Sequence, residues 1–203
     1  MFQMKKTNLL RSCTGIMVCI FLLTATLSSG AQTFHDVSAE SWYYEAVTAM
    51  SEAGLVGGMG DGTFAPESTL TYAQFCQIVA RAKNLPTGEA NGYWAGKAIQ
   101  ACIDAKYIFS LGALSAANYD APITREAAVA AMFKTKEGSI EVGTQITSPM
   151  IPDYHTIDSR YRLSIIAAYN SGITSGIDEI LTFNPKGLLK RAEVCQLFYN
   201  IGW

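Results

Sequence analysis

Residues 41–58 read SWYYEAVTAMSEAGLVGG, residues 92–110 GYWAGKAIQACIDAKYIFS and residues 159–176 SRYRLSIIAAYNSGITSG. Each stretch opens near an aromatic, runs through apolar residues at helical spacing and closes near a turn, so the chain reads as an internal repeat. Ala46, Val47, Met50 and Ala53 carry the spacing in the first copy. Ala98, Ile99, Cys102 and Ile103 carry it in the second, and Ile165, Ile166 and Tyr169 in the third. Gly54 and Gly172 supply the left-handed residue that ends such a helix, while Lys106 occupies that place in the second copy.

A loop follows each stretch, at 58–69 (GMGDGTFAPEST), 111–123 (LGALSAANYDAPI) and 176–188 (GIDEILTFNPKGL), and then a second helix opens at Thr71, Thr124 or Lys190. Thr71 and Gln74 make a capping box; Thr124 caps without a reciprocating partner at Ala127, and the third copy keeps only Glu193. The spacing from Trp42 to Thr71 matches that from Trp94 to Thr124 within one residue, and 134–151 (KTKEGSIEVGTQITSPMI) delays the third copy. Its β-branched and turn-forming residues predict a short hairpin or strand pair.

A helix pair of this size cannot bury its apolar face alone. The expected fold is therefore mainly α: three helix-loop-helix repeats packed as a pseudo-threefold spindle around a shared central helical core, with grooves between neighbours. The segments are 1–31, a leader; 32–86, the first repeat; 87–137, a second with a degenerate start and loop; and 138–203, a linker plus the third.

Lys5, Lys6 and Arg11 precede an apolar run at 15–27 and the small residues Ser29, Gly30 and Ala31, the pattern of a cleaved export signal. The run is shorter than the roughly 20 residues that span a bilayer, so no permanent membrane span is expected. No Cys follows it, which disfavours a lipid anchor. Beyond the leader 12 Lys and Arg face 17 Asp and Glu, which argues against a nucleic-acid partner. Cys76, Cys102 and Cys195 lie in apolar helical runs without CxxC spacing and read as buried small hydrophobes.

With Phe34-His35-Asp36-Val37, Trp42, Gly54-Leu55-Val56-Gly57, Asp61-Gly62-Thr63-Phe64-Ala65-Pro66 and Thr71-Tyr72-Ala73-Gln74, the first repeat resembles the S-layer homology family. The second keeps Trp94, Ala98-Ile99 and Ile123-Thr124-Arg125-Glu126; the third keeps Pro152-Asp153-Tyr154, Leu181-Thr182-Phe183-Asn184-Pro185 and Leu189-Lys190-Arg191-Ala192-Glu193. Tyr72 replaces the usual Arg, and either Arg160 or Tyr161 takes the Trp place in the third repeat. The resemblance covers the chain from about Phe34 onward. It implies an exported, noncovalent anchor on the bacterial cell surface that binds a secondary cell-wall polysaccharide attached to peptidoglycan, often one bearing a pyruvyl ketal.

A ketal-linked pyruvate presents a carboxylate, which a guanidinium at a helix N-terminus meets with charge-assisted bonds. Arg125 and Arg191 stand at such positions; the alternative is that each pairs with a neighbouring acid, Glu126 or Glu193. Trp42 and Trp94 either stack on sugar faces or anchor the core. Asp36 and Asp153 either accept sugar hydroxyls or cap turns. Gly60 and Asp61 lie in a loop that approaches a ligand or makes a tight turn. The candidate polysaccharide site is thus Asp36, Trp42, Gly60, Asp61, Trp94, Arg125, Glu126, Asp153, Arg191 and Glu193.

Asp61-Gly62-Thr63 lacks the further acids of a calcium loop, so neither metal nor cofactor is expected. His35 and His155 have no nucleophile at a diagnostic spacing, and the adjacent Asp178 and Glu179 do not fix a glycosidase separation. No catalytic residue is assigned. The competing reading is an exported assembly protein whose degenerate repeats, marked by Tyr72 and the eroded second copy, bind another surface protein.

Overall fold

A computed structural model describes residues 33–108, 118–136 and 146–203. The leader at 1–31 and half of the expected hairpin segment, residues 137–145, lie outside the described residues. Six helices follow in order: α1 (Tyr44–Glu52), α2 (Tyr72–Ala82), α3 (Gly96–Asp104), α4 (Arg125–Lys136), α5 (Arg162–Asn170) and α6 (Arg191–Asn200). Short 3-10 turns at Ser148–Met150 and Tyr154–Thr156 precede α5, and among the described residues the only β pairing is isolated bridges. Where it is described, the end of the linker is thus a 3-10 turn rather than a strand, with Pro149 fixing its first turn.

The first helix of each repeat is short and buries one stripe: Ala46, Val47 and Met50 in α1, Ala98, Ile99 and Cys102 in α3, Ile165, Ala168 and Tyr169 in α5. All three end alike. Leu55 and Val56 N–H donate to Met50 O, Tyr107 and Ile108 to Cys102 O, and Ile173 and Thr174 to Ala168 O. The residue that reverses the chain is left-handed in each, at Gly54 (φ 69°), Lys106 (φ 59°) and Gly172 (φ 73°).

The second helices are longer and open as expected. Thr71 Oγ1 accepts from Gln74 N–H at 3.2 Å and Gln74 Oε1 from Thr71 N–H at 3.1 Å, completing the capping box. Thr124 Oγ1 accepts from Ala127 N–H at 3.4 Å. At Lys190 only the reciprocal half forms, Glu193 Oε2 accepting from Lys190 N–H at 2.9 Å, because an ammonium offers no acceptor.

Packing exchanges partners between repeats. Each first helix lies against the second helix of another unit, giving the pairs α1·α6, α2·α3 and α4·α5. At the centre three buried residues hydrogen-bond in a closed circuit: Leu70 N–H to Leu189 O (2.9 Å), Leu189 N–H to Ile123 O (3.2 Å) and Ile123 N–H to Leu70 O (2.9 Å). The next donors along, which no helix satisfies internally, reach loop carbonyls of a neighbouring unit. Tyr72 and Ala73 donate to Ala121 O and Tyr119 O, Arg125 and Glu126 to Gly187 O and Pro185 O, and Arg191 and Ala192 to Ser68 O and Pro66 O. One hydrophobic cluster fills the interior, with Phe64, Phe75, Phe183 and Phe198 fully buried.

Asp36 and Asp153 fasten the loops. Asp36 accepts from the N–H groups of Phe64 (2.7 Å) and Ala65 (2.8 Å), and Asp153 from those of Phe183 (2.9 Å) and Asn184 (2.7 Å). Partial desolvation works to raise the Asp36 carboxyl, but the backbone donors outweigh it and hold its pKa below the ordinary value. Cys76, Cys102 and Cys195 are buried and form no disulfide among the described residues, and the Cys102 thiol donates to Cys76 O at 3.6 Å. The Cys102 thiol and burial push the Cys76 thiol up, and burial pushes Cys195 to about 12.

Lys106→Gly is expected to raise the unfolding free energy by about 0.5–1 kcal/mol, since glycine takes this conformation without a Cβ clash; urea unfolding checks it. Asp36→Asn should cost about 1 kcal/mol near neutral pH, allowing for the exposure of the site. A depressed folded pKa contributes stability above the unfolded value of about 4 that is lost as pH falls through the folded value, so the difference between parent and variant should shrink in acid. In the folded chain from Gln32 onward no thiol should react with an aromatic disulfide at pH 8; all three should react in denaturant.

Candidate functional site

The exchanged helix pairs leave grooves beside the openings of the second helices. The first, of about 250 Å³, is lined by Trp42, Arg125, Thr174, Ser175, Glu193 and Gln196, among others. The second, of about 130 Å³, is lined by Trp94, Arg191, Gly57, Gln74, Gln77 and Arg81, among others. Each thus takes an indole from one repeat, a guanidinium from the next and a helix face from a third.

Trp42 and Trp94 each stand two residues before a first helix, and because α1 lies on α6 and α3 on α2, their rings reach the flank of those partners. They are 63% and 49% exposed, which assigns them to the surface rather than the core. Tyr43 braces Trp42 edge-on at 5.1 Å, and Tyr93 lies 6.0 Å from Trp94.

Arg125 and Arg191 are the first residues of α4 and α6 and differ in how they are held. Arg191 donates Nε–H to Phe64 O at 2.8 Å and Nη2–H to Gly57 O at 2.7 Å, with its guanidinium 4.5 Å from the Phe64 ring centre. Arg125 lies 5.8 Å from the Phe183 ring centre and reaches Glu193 Oε1 with Nη1 at 3.5 Å, while its buried Nε has no partner. Burial lowers both arginine pKa values, opposed at Arg125 chiefly by Glu193.

The alternative pairing of each Arg with its neighbouring acid does not form. Successive helical residues point about 100° apart, so Glu126 turns away from Arg125. Glu126 instead accepts from Asp158 N–H at 3.0 Å and from Lys186 Nζ. Arg125 pairs across repeats with Glu193, and Arg191 pairs with backbone carbonyls rather than an acid.

At the third corresponding place Arg160 stands two residues before α5, which settles the uncertain register in its favour over Tyr161. Its guanidinium is committed to Asp158, Nε–H to Oδ1 at 2.9 Å and Nη2–H to Oδ2 at 2.7 Å. Tyr72, in the Arg place, is half-buried; burial raises its pKa, opposed by the Thr124 side chain. The loop beyond Ile108 lies outside the described residues.

Of the candidate residues, the structure gathers Trp42, Arg125 and Glu193 in one groove and Trp94 and Arg191 in the other. Asp36 and Asp153 are engaged by loop backbone, Glu126 lies at a different seam, and Gly60 (φ 93°) and Asp61 shape a turn. Asp61 Oδ1 accepts from the Thr63 side chain at 2.6 Å and from its N–H at 2.9 Å, which lowers its pKa. Gln74, Gln77 and Arg81, with Gln196 and Asn200, were not among the sequence candidates, although their spacing of three and four marks one helix face. Among the described residues no cluster of three or more His, Cys, Asp or Glu is placed to hold a metal, and no helix is long and apolar enough to cross a membrane.

Residues 33–76 match the family model described as the S-layer homology domain. A surface-layer 125 kDa protein of Lysinibacillus sphaericus is 36% identical over 58 residues, 29% of this chain and 5% of that protein. A cellulosome-anchoring protein of Acetivibrio thermocellus is 28% identical over 88 residues, 37% of this chain and 20% of its own length. An amylopullulanase of Thermoanaerobacterium thermosulfurigenes is 27% identical over 179 residues, which is 84% of this chain but 9% of the enzyme. The chain spans a small part of each relative. With its exposed indole, helix-opening residues and loop ties in the places the motifs require, the chain carries a match to the S-layer homology domain at residues 33–76.

Proposed function

We propose that this chain is a noncovalent cell-wall anchoring module that binds a secondary cell-wall polysaccharide of a bacterial envelope in the grooves at Trp42–Arg125 and Trp94–Arg191. The observation that carries the reading is the coincidence, in each groove, of a solvent-exposed indole and a guanidinium at the opening of a helix. An indole offers apolar area to the C–H face of a sugar ring. The guanidinium and the positive helix end favour an anionic substituent, such as the pyruvyl ketal that the family resemblance implies. The likeness to a surface-layer protein and a cellulosome-anchoring protein supports a wall-bound, exported setting. The amylopullulanase match covers too little of that enzyme to bring its chemistry here, and binding rather than catalysis is the role assigned.

A second reading, docking of another exported protein, draws on the third seam. There Arg160 and Tyr72 replace the indole and guanidinium, and Leu163 beside them is 82% exposed.

Isolated walls should retain the chain from Gln32 onward, and chemical removal of the non-peptidoglycan polysaccharide should abolish retention. Combining Trp94→Ala with Arg191→Ala should weaken retention by about tenfold or more, equivalent to about 1.4 kcal/mol, with an unchanged circular dichroism spectrum. Equal retention on stripped walls, or by the folded variant, would overturn the carbohydrate reading.

A further inference from the structure

The two grooves correspond residue by residue. Trp94 answers to Trp42 and Arg191 to Arg125, while Gln74, Gln77, Ile78 and Arg81 on α2 occupy the helix positions of Glu193, Gln196, Leu197 and Asn200 on α6. Two of these pairs change charge. Glu193 stands where the other groove has Gln74, and Asn200 where it has Arg81. The charged lining of the Trp42 groove is therefore Arg125 and Glu193, which compensate each other at 3.5 Å; that of the Trp94 groove is Arg81 and Arg191, with no acid. The helices that follow the indoles differ in the same sense: three residues on stand exposed Glu45 after Trp42 and exposed Lys97 after Trp94.

We propose that the grooves divide the polymer by charge: the Trp94–Arg191 groove takes a carboxylate-bearing sugar residue, and the Trp42–Arg125 groove takes a neutral one. This rests on the carbohydrate reading above and adds to it which groove reads the anion. A carboxylate entering the Trp42 groove meets a guanidinium whose charge is already matched, with the Glu193 carboxylate beside it repelling the newcomer. A neutral sugar there finds acceptors in Glu193 and donors in Thr174 and Gln196. In the Trp94 groove two cations face the ligand, and Gln74 supplies a neutral amide in place of the repelling acid. Glu193 is the specificity-determining residue, because its exchange for Gln copies the Gln74 arrangement and leaves an oxygen to accept from Lys190 N–H.

The test follows the Trp42 and Trp94 indole N–H signals of the 15N-labelled chain by NMR, titrated with polysaccharide released from the walls of the producing bacterium. The polymer is used native and after its carboxylates are converted to amides. Amidation should weaken the Trp94 response by about fivefold or more, the loss of one charge-assisted contact, and leave the Trp42 response within about twofold. Glu193→Gln should make the Trp42 response sensitive to amidation as well. Equal sensitivity of both indoles in the parent, insensitivity of both, or greater sensitivity at Trp42 overturns the division by charge while leaving carbohydrate binding intact. An unaltered Trp42 response in the Glu193→Gln chain overturns the role of Glu193. If native polymer moves neither indole, the carbohydrate reading itself falls, and this proposal with it.

Discussion

The backbone donors that open α2, α4 and α6 govern the architecture. A helix start always carries N–H groups that its own turns do not satisfy, and burying one unpaired costs about 1–3 kcal/mol. Here the carbonyls that meet them belong to loops of other repeats, through Ala121 and Tyr119, Gly187 and Pro185, and Ser68 and Pro66. The closed circuit of Leu70, Ile123 and Leu189 is the innermost of these ties. No repeat satisfies the first two donors of its own second helix, so the three depend on one another for hydrogen bonds as well as for burial.

The same helix openings position the functional groups. The first helical residue is Arg125 in one case and Arg191 in another, each at the favourable end of a helix dipole and each over a buried phenylalanine of a different repeat. The exchange of helix partners then brings the indole. Trp42 lies near Glu193 because α1 packs on α6, a neighbour that its own repeat does not contain. A groove made from three repeats is thus a by-product of how the ends of helices are satisfied.

Much of this is written locally in the chain. Thr71 and Gln74 announce a helix start by side-chain chemistry alone, and Gly54 and Gly172 announce helix ends by tolerating positive φ, so those boundaries were readable. The αL backbone at Lys106 followed only from comparing copies. What local pattern does not carry is partnership between repeats. Three similar apolar stripes give no rule for choosing among one another, so the pairing of α1 with α6 was not readable. For the same reason the acid beside Arg125 in sequence is not its partner, which comes from another helix. Asp36 and Asp153 look alike as ligands or as loop ties; only the Phe64 and Phe183 amides decide between them. Gln77 and Arg81 went unassigned, because polar residues on a surface stripe carry no signature until a neighbouring ring closes over them, and Gln74 showed only its capping role.

The α1·α6 pair also bears on the order in which the molecule is made. A chain is synthesised from its N-terminus, and contacts between distant segments form late because the loop between them must close first. Among the described helices α1 emerges before the other five, and α6, which covers it, emerges after them. Until then the Ala46, Val47 and Met50 stripe has no permanent cover, and the Ser68 and Pro66 carbonyls await the donors of Arg191 and Ala192. The first repeat therefore waits on the third: arrival of α6 completes the cover of α1.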